Sequence, residues 1–405
     1  MTTSYLSLLL STLLLLTNPE NPVNPKNPGQ NPGQTKRWFK GNLHTHSYWS
    51  DGDEFPEMIL DWYKTHGYDF VALSDHNTMA RGEKWIKVVK SRMYAEAFDR
   101  YLAKFGPEWV TYKVDSGRTH VKLKTYPEYK KRFEDKNFLI VPAEEITDRF
   151  EGKPIHLCAT NLQNVLPPQG GSSVMETMQR NVDAVLAQRK ETGIPMFPHI
   201  NHPNFYYAIT TQDMIGLHGE RFFEVYNGHP LVHNEGDSLH PGTEQMWDEI
   251  NVAYFKRQQP LLLGLGSDDS HSYHQFGTAY SNAGRGWVMV YATSLEAGAL
   301  IEAMERGDFY SSSGVTLKDV SVQKKTLSVE VAGEAGVTYT IEFIGATTDD
   351  EQAKVLKTVT GTKASFQLTA QHLFVRARIT SSKMKPNPYR ENEVEMAWTQ
   401  PVLYR

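Results

Sequence analysis

The chain has 405 residues, a net charge of −5 and one cysteine, Cys158. That length accommodates one large domain and a smaller one. So mild a charge argues against general nucleic-acid binding or a membrane-surface role for the whole chain. A lone cysteine excludes an internal disulfide and any thiolate metal cluster.

The first element is the apolar run "YLSLLLSTLLLLT", Tyr5 to Thr17. It has signal-peptide length and is shorter than the about 20 residues of a spanning helix, so no stable membrane span is expected. The expectation is export to the periplasm or exterior. No Lys or Arg precedes the run and no A-x-A site follows it, so an uncleaved tether over residues 1–17 is the alternative. Residues 18–35 repeat Asn-Pro, which removes backbone donors and disfavours helix. They read as an extended linker.

From residue 36 to 313, apolar runs alternate with helix-like segments. "FPEMILDWYKTHG" reads as an amphipathic helix closed by glycine. "YDFVALSDHN", "NFLIVPAEEIT", "KPIHLCATNL", "GIPMFPHINHPN", "RFFEVYNGHP" and "QPLLLGLGSDDSHSY" each read as a buried strand ending in polar residues. Helical stretches such as "VMETMQRNVDAVLAQRKETG" separate several of them. The pattern predicts parallel βα units, with the site at the strands' C-terminal ends. Residues 80–136 form a basic insertion, read as mostly helical through "EKWIKVVKSRMYAEAFDRYLAKF". It is either a solvated excursion or a lid bringing positive charge to an anionic substrate. Residues 314–405 alternate apolar and polar with period two, which predicts a small all-β sandwich.

Chemistry gathers at the strand ends. In "LHTHSYWSDG", His44 and His46 are two apart, so on a strand their imidazoles face one point. Further clusters are Asp75-His76, Glu144-Glu145, His156, His199 with His202, and Asp268-Asp269-Ser270-His271. Unpaired, so many ionisable groups at one core would be ruinous. Metal ions resolve this, and His/Asp/Glu donors without thiolate suit Zn, Mn or Fe.

Other residues have two readings. Cys158 reads as a small buried hydrophobe. Asp75 reads as orienting a histidine or fixing the strand end. Ser47 reads as a hydrogen-bond partner rather than a nucleophile. Arg81 is a candidate phosphate clamp. His199, Tyr226, Asn227 and His229 are candidate substrate contacts, each with a structural alternative, and Glu224 ends the same strand. The aromatics Tyr48, Trp49, Phe205, Tyr206 and Tyr207 fit an apolar leaving group or ordinary packing.

The order "HTHS…SDG", "SDHN", "VPAEEIT", "HL", "NHP", "GSDDSH", from Asn42 to Ser313, resembles the PHP (polymerase and histidinol phosphatase) superfamily. The resemblance implies an α/β fold with a distorted (β/α)7 barrel, a trinuclear metal site and metal-dependent phosphoesterase activity. "FVRARI" and "AWTQPVLY" in the C-terminal part look like the tail of exported PHP proteins. That branch also resembles carbaryl hydrolase-type metallohydrolases, which cleave a carbamate ester. Carried over by position, the resemblance puts His44, His46, Glu145 and Asp269 on one ion. Glu145 bridges to a second ion with His156 and His202. Asp51, His76 and His271 hold a third, although many relatives have histidine at the position of Asp51. The implied cofactors are two to three divalent ions. The implied reaction is attack on a small phosphate ester by a metal-bound hydroxide held by Glu145, Asp269, His44 and His46. Alternatives are a carbamate, ester or amide hydrolase on the same cluster, or a metal-stabilised binding protein. The expected partner is a small molecule, not a nucleic acid.

Overall fold

Strand β1 (Arg37–Asn42) opens the folded part in a computed structural model that describes residues 35–88 and 95–404. The expected leader and nearly all of the expected linker lie outside those residues. Helix α1 (Pro56–Thr65) follows, with proline in its first turn and Ile59, Leu60 and Tyr63 on its buried face. Strand β2 (Phe70–Leu73) comes next.

The insertion is only partly helical. Trp85–Lys87, read as helix, is strand β3. After it come α2 (Ala95–Phe105), β4 (Tyr112–Asp115), β5 (Arg118–Lys122) and α3 (Tyr126–Phe133). Strands β3, β5 and β4 make a small antiparallel sheet of their own. The insertion packs on α1: Tyr101 stacks on Phe55, and Tyr101 and Trp109 both donate to the buried Glu57. Several of its cations are engaged locally, Lys104 with Asp61 and Lys122 with Glu83.

Next are β6 (Leu139–Phe150), β7 (Lys153–Thr160), α4 (Val174–Thr192), β8 (Phe197–Ile200) and α5 (Thr211–Ile215). They are followed by β9 (Phe222–Asn227), α6 (Thr243–Lys256), β10 (Leu263–Ser267), β11 (Trp287–Ala292), α7 (Ala297–Glu305) and β12 (Phe309–Ser312). The expected parallel βα repeat holds for β1–β2, β2–β6, β8–β9 and β9–β10. It fails at β6–β7 and β7–β8, which are antiparallel. The reason is the pair Glu151 and Gly152, with φ of 48° and 82°. Two successive left-handed residues make the tight turn whose twist suits a hairpin. His156 therefore sits in mid-strand opposite Thr147 rather than at a strand end.

The last strands are β13 (Leu317–Gln323), β14 (Thr326–Val331), β15 (Tyr339–Thr347), β16 (Lys354–Thr360), β17 (Lys363–Gln367), β18 (His372–Met384) and β19 (Val394–Thr399). Strand β19 pairs with β12, so β19-β18-β15-β16 continue one 13-stranded sheet that begins β10-β9-β8-β7-β6-β2-β1-β11-β12. Strands β13-β14-β17 form a second layer. Leu327, Val329 and Val331 of that layer share a core with Ile341, Phe343, Val375 and Ile379. The C-terminal strands are thus hydrogen-bonded into the main sheet. They also reach α6: Arg376 grips Asp248 with two bonds of 2.8 Å and lies 3.0 Å from Glu244. Gln400 both donates to and accepts from the backbone of Gly264 on β10, at 2.9 Å each way.

Below the strand ends, Phe39, Phe70, Ala72, Val141, Phe197, Phe222, Leu263 and Leu265 pack with Leu300, Ile301 and Met304 of α7. Among the described residues no helix is long and apolar enough to cross a membrane.

Candidate metal centre

The residues after each apolar strand meet at one place. His44 and His46 follow β1, Asp51 the next turn, and His76 follows β2. Glu145 lies in β6, His156 in β7, His202 after β8, and Asp269 and His271 after β10. Their backbones are tied: His46 N donates to Ser270 O at 2.9 Å, Asp269 N to His44 O at 3.0 Å, and His76 bridges to Glu145. The turn between His46 and Asp53 folds back on itself. A Cβ at Gly52 would lie 2.5 Å from the His46 carbonyl, so glycine is needed there. Asn77, His202 and Asp269 have positive φ of 51°, 21° and 49°. Such strain in non-glycine residues is typical of functional sites.

Two carboxylates organise the cluster. Asp269 Oδ1 lies 3.2 Å from His44 Nε2 and 3.3 Å from His46 Nε2. Glu145 Oε1 lies 3.1 Å from His156 Nδ1, 3.4 Å from His44 Nε2 and 3.5 Å from His202 Nε2. Its Oε2 lies 2.6 Å from His76 Nδ1. Asp51 stands 3.4 Å from His271 Nε2, 3.5 Å from His76 Nε2 and 3.6 Å from His46 Nδ1. The Asp51 side chain is 46% exposed while that of His44 is 0% exposed, so the cluster opens on the Asp51 side.

The electrostatics are divided. Burial opposes ionisation of Glu145 and Asp269, but the surrounding imidazoles hold both well below the usual carboxylate range. Burial lowers His76, yet Glu145 and Asp51 outweigh it and raise it to about 11. His46 is lowered to about 3 by burial and by His271 and His76. Protons therefore serve some members and not others. The donor set fits divalent ions. His44 Nδ1 lies 2.7 Å from Glu224 Oε1, which turns its Nε2 toward His46 Nε2 at 3.1 Å. Glu145 Oε2 is buried against the imidazoles of His76 and His46. Imidazoles gathered around buried carboxylates suit a divalent cation. An ion bound through His76 would have to displace its proton, so apparent affinity should rise with pH, by about tenfold per unit for each proton released. Competition titrations at pH 6, 7 and 8 check this, and a pH-independent affinity would contradict it.

Among the supporting groups, Glu224, Asp75, Ser47 and Asp268 stand where the sequence already marks them. Glu224 accepts from His44 Nδ1 (2.7 Å), Ser267 Oγ (2.6 Å), His202 N (2.8 Å) and Asn227 Nδ2 (2.8 Å). Replacing it with glutamine should weaken ion binding about 10- to 100-fold, measured by the same titration. Asn201, between the two histidines of "HINHP", holds Glu145 Oε1 at 2.7 Å. Nothing in the sequence marks it beyond that position. Asp75 accepts from Ser47 N, Ser47 Oγ and Ser50 Oγ, so it fixes the turn and Ser47 is a hydrogen-bond partner. Asp268 holds the amides of Gly284, Arg285 and Gly286.

The candidate substrate contacts separate. Asn227 reaches the cluster, donating to Asp269 Oδ2 at 3.1 Å. Tyr226 does not: its hydroxyl donates to Glu393 at 2.7 Å, and its ring stacks on Trp398. The register shift between Leu265 and Gly266 explains this, since it breaks the alternation along β9. Arg81 is exposed in a groove with Lys130, Lys131 and Glu134, which no cluster residue lines. His199 is sealed beneath the cluster, opposite Cys158. His229 sits at the rim, its ring 5.7 Å from that of His271 and 5.8 Å from that of Phe205.

No family model and no curated protein matches the sequence. Solved structures do match. One, from Bacteroides vulgatus, is a two-domain protein containing a predicted PHP-like metal-dependent phosphoesterase. It is 15% identical over 90% of this chain and 95% of its own, with a TM-score of 0.39. Another, from Bifidobacterium adolescentis, carries the name of a candidate metal-dependent phosphoesterase. It is 12% identical over 63% of this chain and 92% of its own, with a TM-score of 0.30. The chain is similar to these two proteins. At such scores the likeness carries no argument about the site, which stands on its own geometry.

Proposed function

We propose that the protein is an exported metal-dependent hydrolase of PHP type that cleaves a small phosphate ester. The observation that carries this is the convergence of His44, His46, Asp51, His76, Glu145, His156, His202, Asp269 and His271 at one opening. The run β10-β9-β8-β7-β6-β2-β1, tied at its ends by the His44–Asp269 and His46–Ser270 backbone bonds, is read as the distorted barrel. The apolar run at Tyr5–Thr17 and the Asn-Pro repeat support export.

His44, His46 and Asp269 would hold one ion, Glu145 with His156 and His202 a second, and Asp51, His76 and His271 a third. Such ions supply positive charge to phosphoryl oxygens and acidify water. The chain's own residues do the rest. Glu224 fixes the His44 tautomer, and Asn201 and Asn227 fix the two central carboxylates. His229 Nδ1 accepts from Leu231 N at 3.2 Å, and burial lowers its pKa to about 4. At neutral pH its proton therefore lies on Nε2, where it can donate a hydrogen bond to substrate.

Chelation should abolish hydrolysis of at least one ester in a panel of phosphomonoesters, diesters and aryl carbamates, and added Zn, Mn or Fe should restore it. Turnover of carbamates alone would replace the phosphate reading. No metal-dependent turnover of any would end the hydrolase reading.

A further inference from the structure

Arg285 is fully buried, yet the acceptors around its guanidinium are carbonyl and amide oxygens rather than carboxylates. A buried cation without a counter-charge is costly unless hydrogen bonds compensate it. Here they come from three separate parts of the chain. In the loop after β9, Gly228 O accepts from Nη1 at 2.9 Å. In the loop after β10, Gly277 O accepts from Nη2 at 3.0 Å, Asn282 Oδ1 from Nη2 at 3.2 Å and Tyr280 O from Nη1 at 2.5 Å. In the loop between β18 and β19, Pro388 O accepts from Nη2 at 2.9 Å and Asn387 O from Nε at 3.3 Å. A rigid planar fork of five donors can join acceptors this far apart, which a single ammonium cannot. Its distinctive effect is to fix three loops against one another.

Two of those loops bear directly on the candidate centre. Gly228 precedes His229, and a Cβ on it would lie 2.6 Å from Cβ of Arg285, so glycine permits the close approach. Ser281, beside Asn282, accepts from His271 N at 2.9 Å and donates its hydroxyl to Asp269 O. The Arg285 amide is itself held by Asp268, next to Asp269, at 2.6 Å. The third loop supplies no candidate ligand, but it is fastened at further points. Asn387 Nδ2 donates to Ala283 O at 3.0 Å, Lys385 Nζ to Arg285 O at 2.8 Å, and the Tyr389 hydroxyl to Glu235 at 2.6 Å. His156 in β7 and His202 after β8 lie on none of the loops that Arg285 holds.

We infer that Arg285 is a positioning residue, through which the loop between β18 and β19 sets His229 and His271 at the mouth of the centre. Its effect on turnover rests on the hydrolase reading, and its effect on the two histidines rests on geometry alone. The test follows the imidazole Cε1–H signals of the full-length protein by NMR, with and without zinc. Arg285→Lys keeps the charge and loses the fork. In that variant the His229 and His271 signals should shift while those of His156 and His202 stay in place. Asn387→Ala removes one acceptor of the guanidinium, at 3.3 Å, and should shift the same two signals by less. It decides the matter alone if Arg285→Lys does not fold. Unmoved His229 and His271 signals in a folded variant overturn the inference. Shifts spread equally over His156 and His202 mark a general loosening and overturn it too. On the metal-loaded protein and its best ester, Arg285→Lys should lower kcat about tenfold to a hundredfold with KM little changed, because displaced groups still bind the ester but miss the reacting arrangement. A change in KM alone overturns the positioning role. If wild type turns over no ester, the hydrolase reading is what has failed, and the histidine signals still decide whether Arg285 positions them.

Discussion

Glu145→Gln is expected to remove bound metal and activity together while leaving the fold intact. Glu145 is the one carboxylate in contact with His44, His46, His76, His156 and His202. Glutamine keeps the volume and can still receive the Asn201 bond. It loses the charge that those imidazoles and any shared ion require. The loss of ion affinity should exceed the about 10- to 100-fold that removing an orienting partner produces. Elemental analysis of the purified variant, alongside its melting temperature, measures both parts. A fully loaded, folded and active Glu145→Gln protein would refute the placement of the ions around this residue. Asp51→Ala should act differently. Asp51 is half exposed and touches only His46, His76 and His271. Its loss should lower the metal content without emptying the centre.

The second large effect lies away from the centre. Arg376→Ala should destabilise the protein by about 3–5 kcal/mol, the cost of leaving buried partners of an ion pair uncompensated. Arg376 is 1% exposed and is gripped by Asp248 through two bonds, with Glu244 beside it. Its guanidinium also lies over the Trp247 ring at 4.7 Å. Denaturant unfolding of the variant reads the loss. The triple replacement Arg376→Met, Asp248→Leu, Glu244→Leu should recover most of it, because no charge is then stranded. Recovery would show that the penalty comes from desolvated carboxylates rather than from lost contact area.

Much of the centre was legible because strand-end residues are read one at a time. The His-x-His pair, "SDHN" and "SDDSH" each put donors just past an apolar run, and the structure brings them together. What stayed hidden depends on one-residue events. The Glu151-Gly152 hairpin reverses β7, yet Glu-Gly is a weaker turn signal than Asn-Gly or Asp-Gly. The register shift at Leu265 and Gly266 turns Tyr226 away while Glu224 and Asn227 both face the cluster, which no period-two reading can foresee. The strand at Trp85–Lys87 was masked by helix-favouring neighbours. The joining of the C-terminal strands to the main sheet depends on β12 meeting β19, a pairing of residues far apart in sequence.

The hold of Gln400 on Gly264 ties the end of the chain to the strand that leads into the candidate centre. Every candidate ion-holding side chain has been made once the ribosome passes His271. Strand β10, which leads into Asp269 and His271, is the terminal strand of the sheet, and its Gly264 is held both by Ser311 Oγ and by the Gln400 side chain 136 positions later. A growing chain would therefore carry all the candidate ligands before β10 has its last contacts. A fragment ending at residue 313 should hold ions more loosely than the full chain although it contains every candidate ligand.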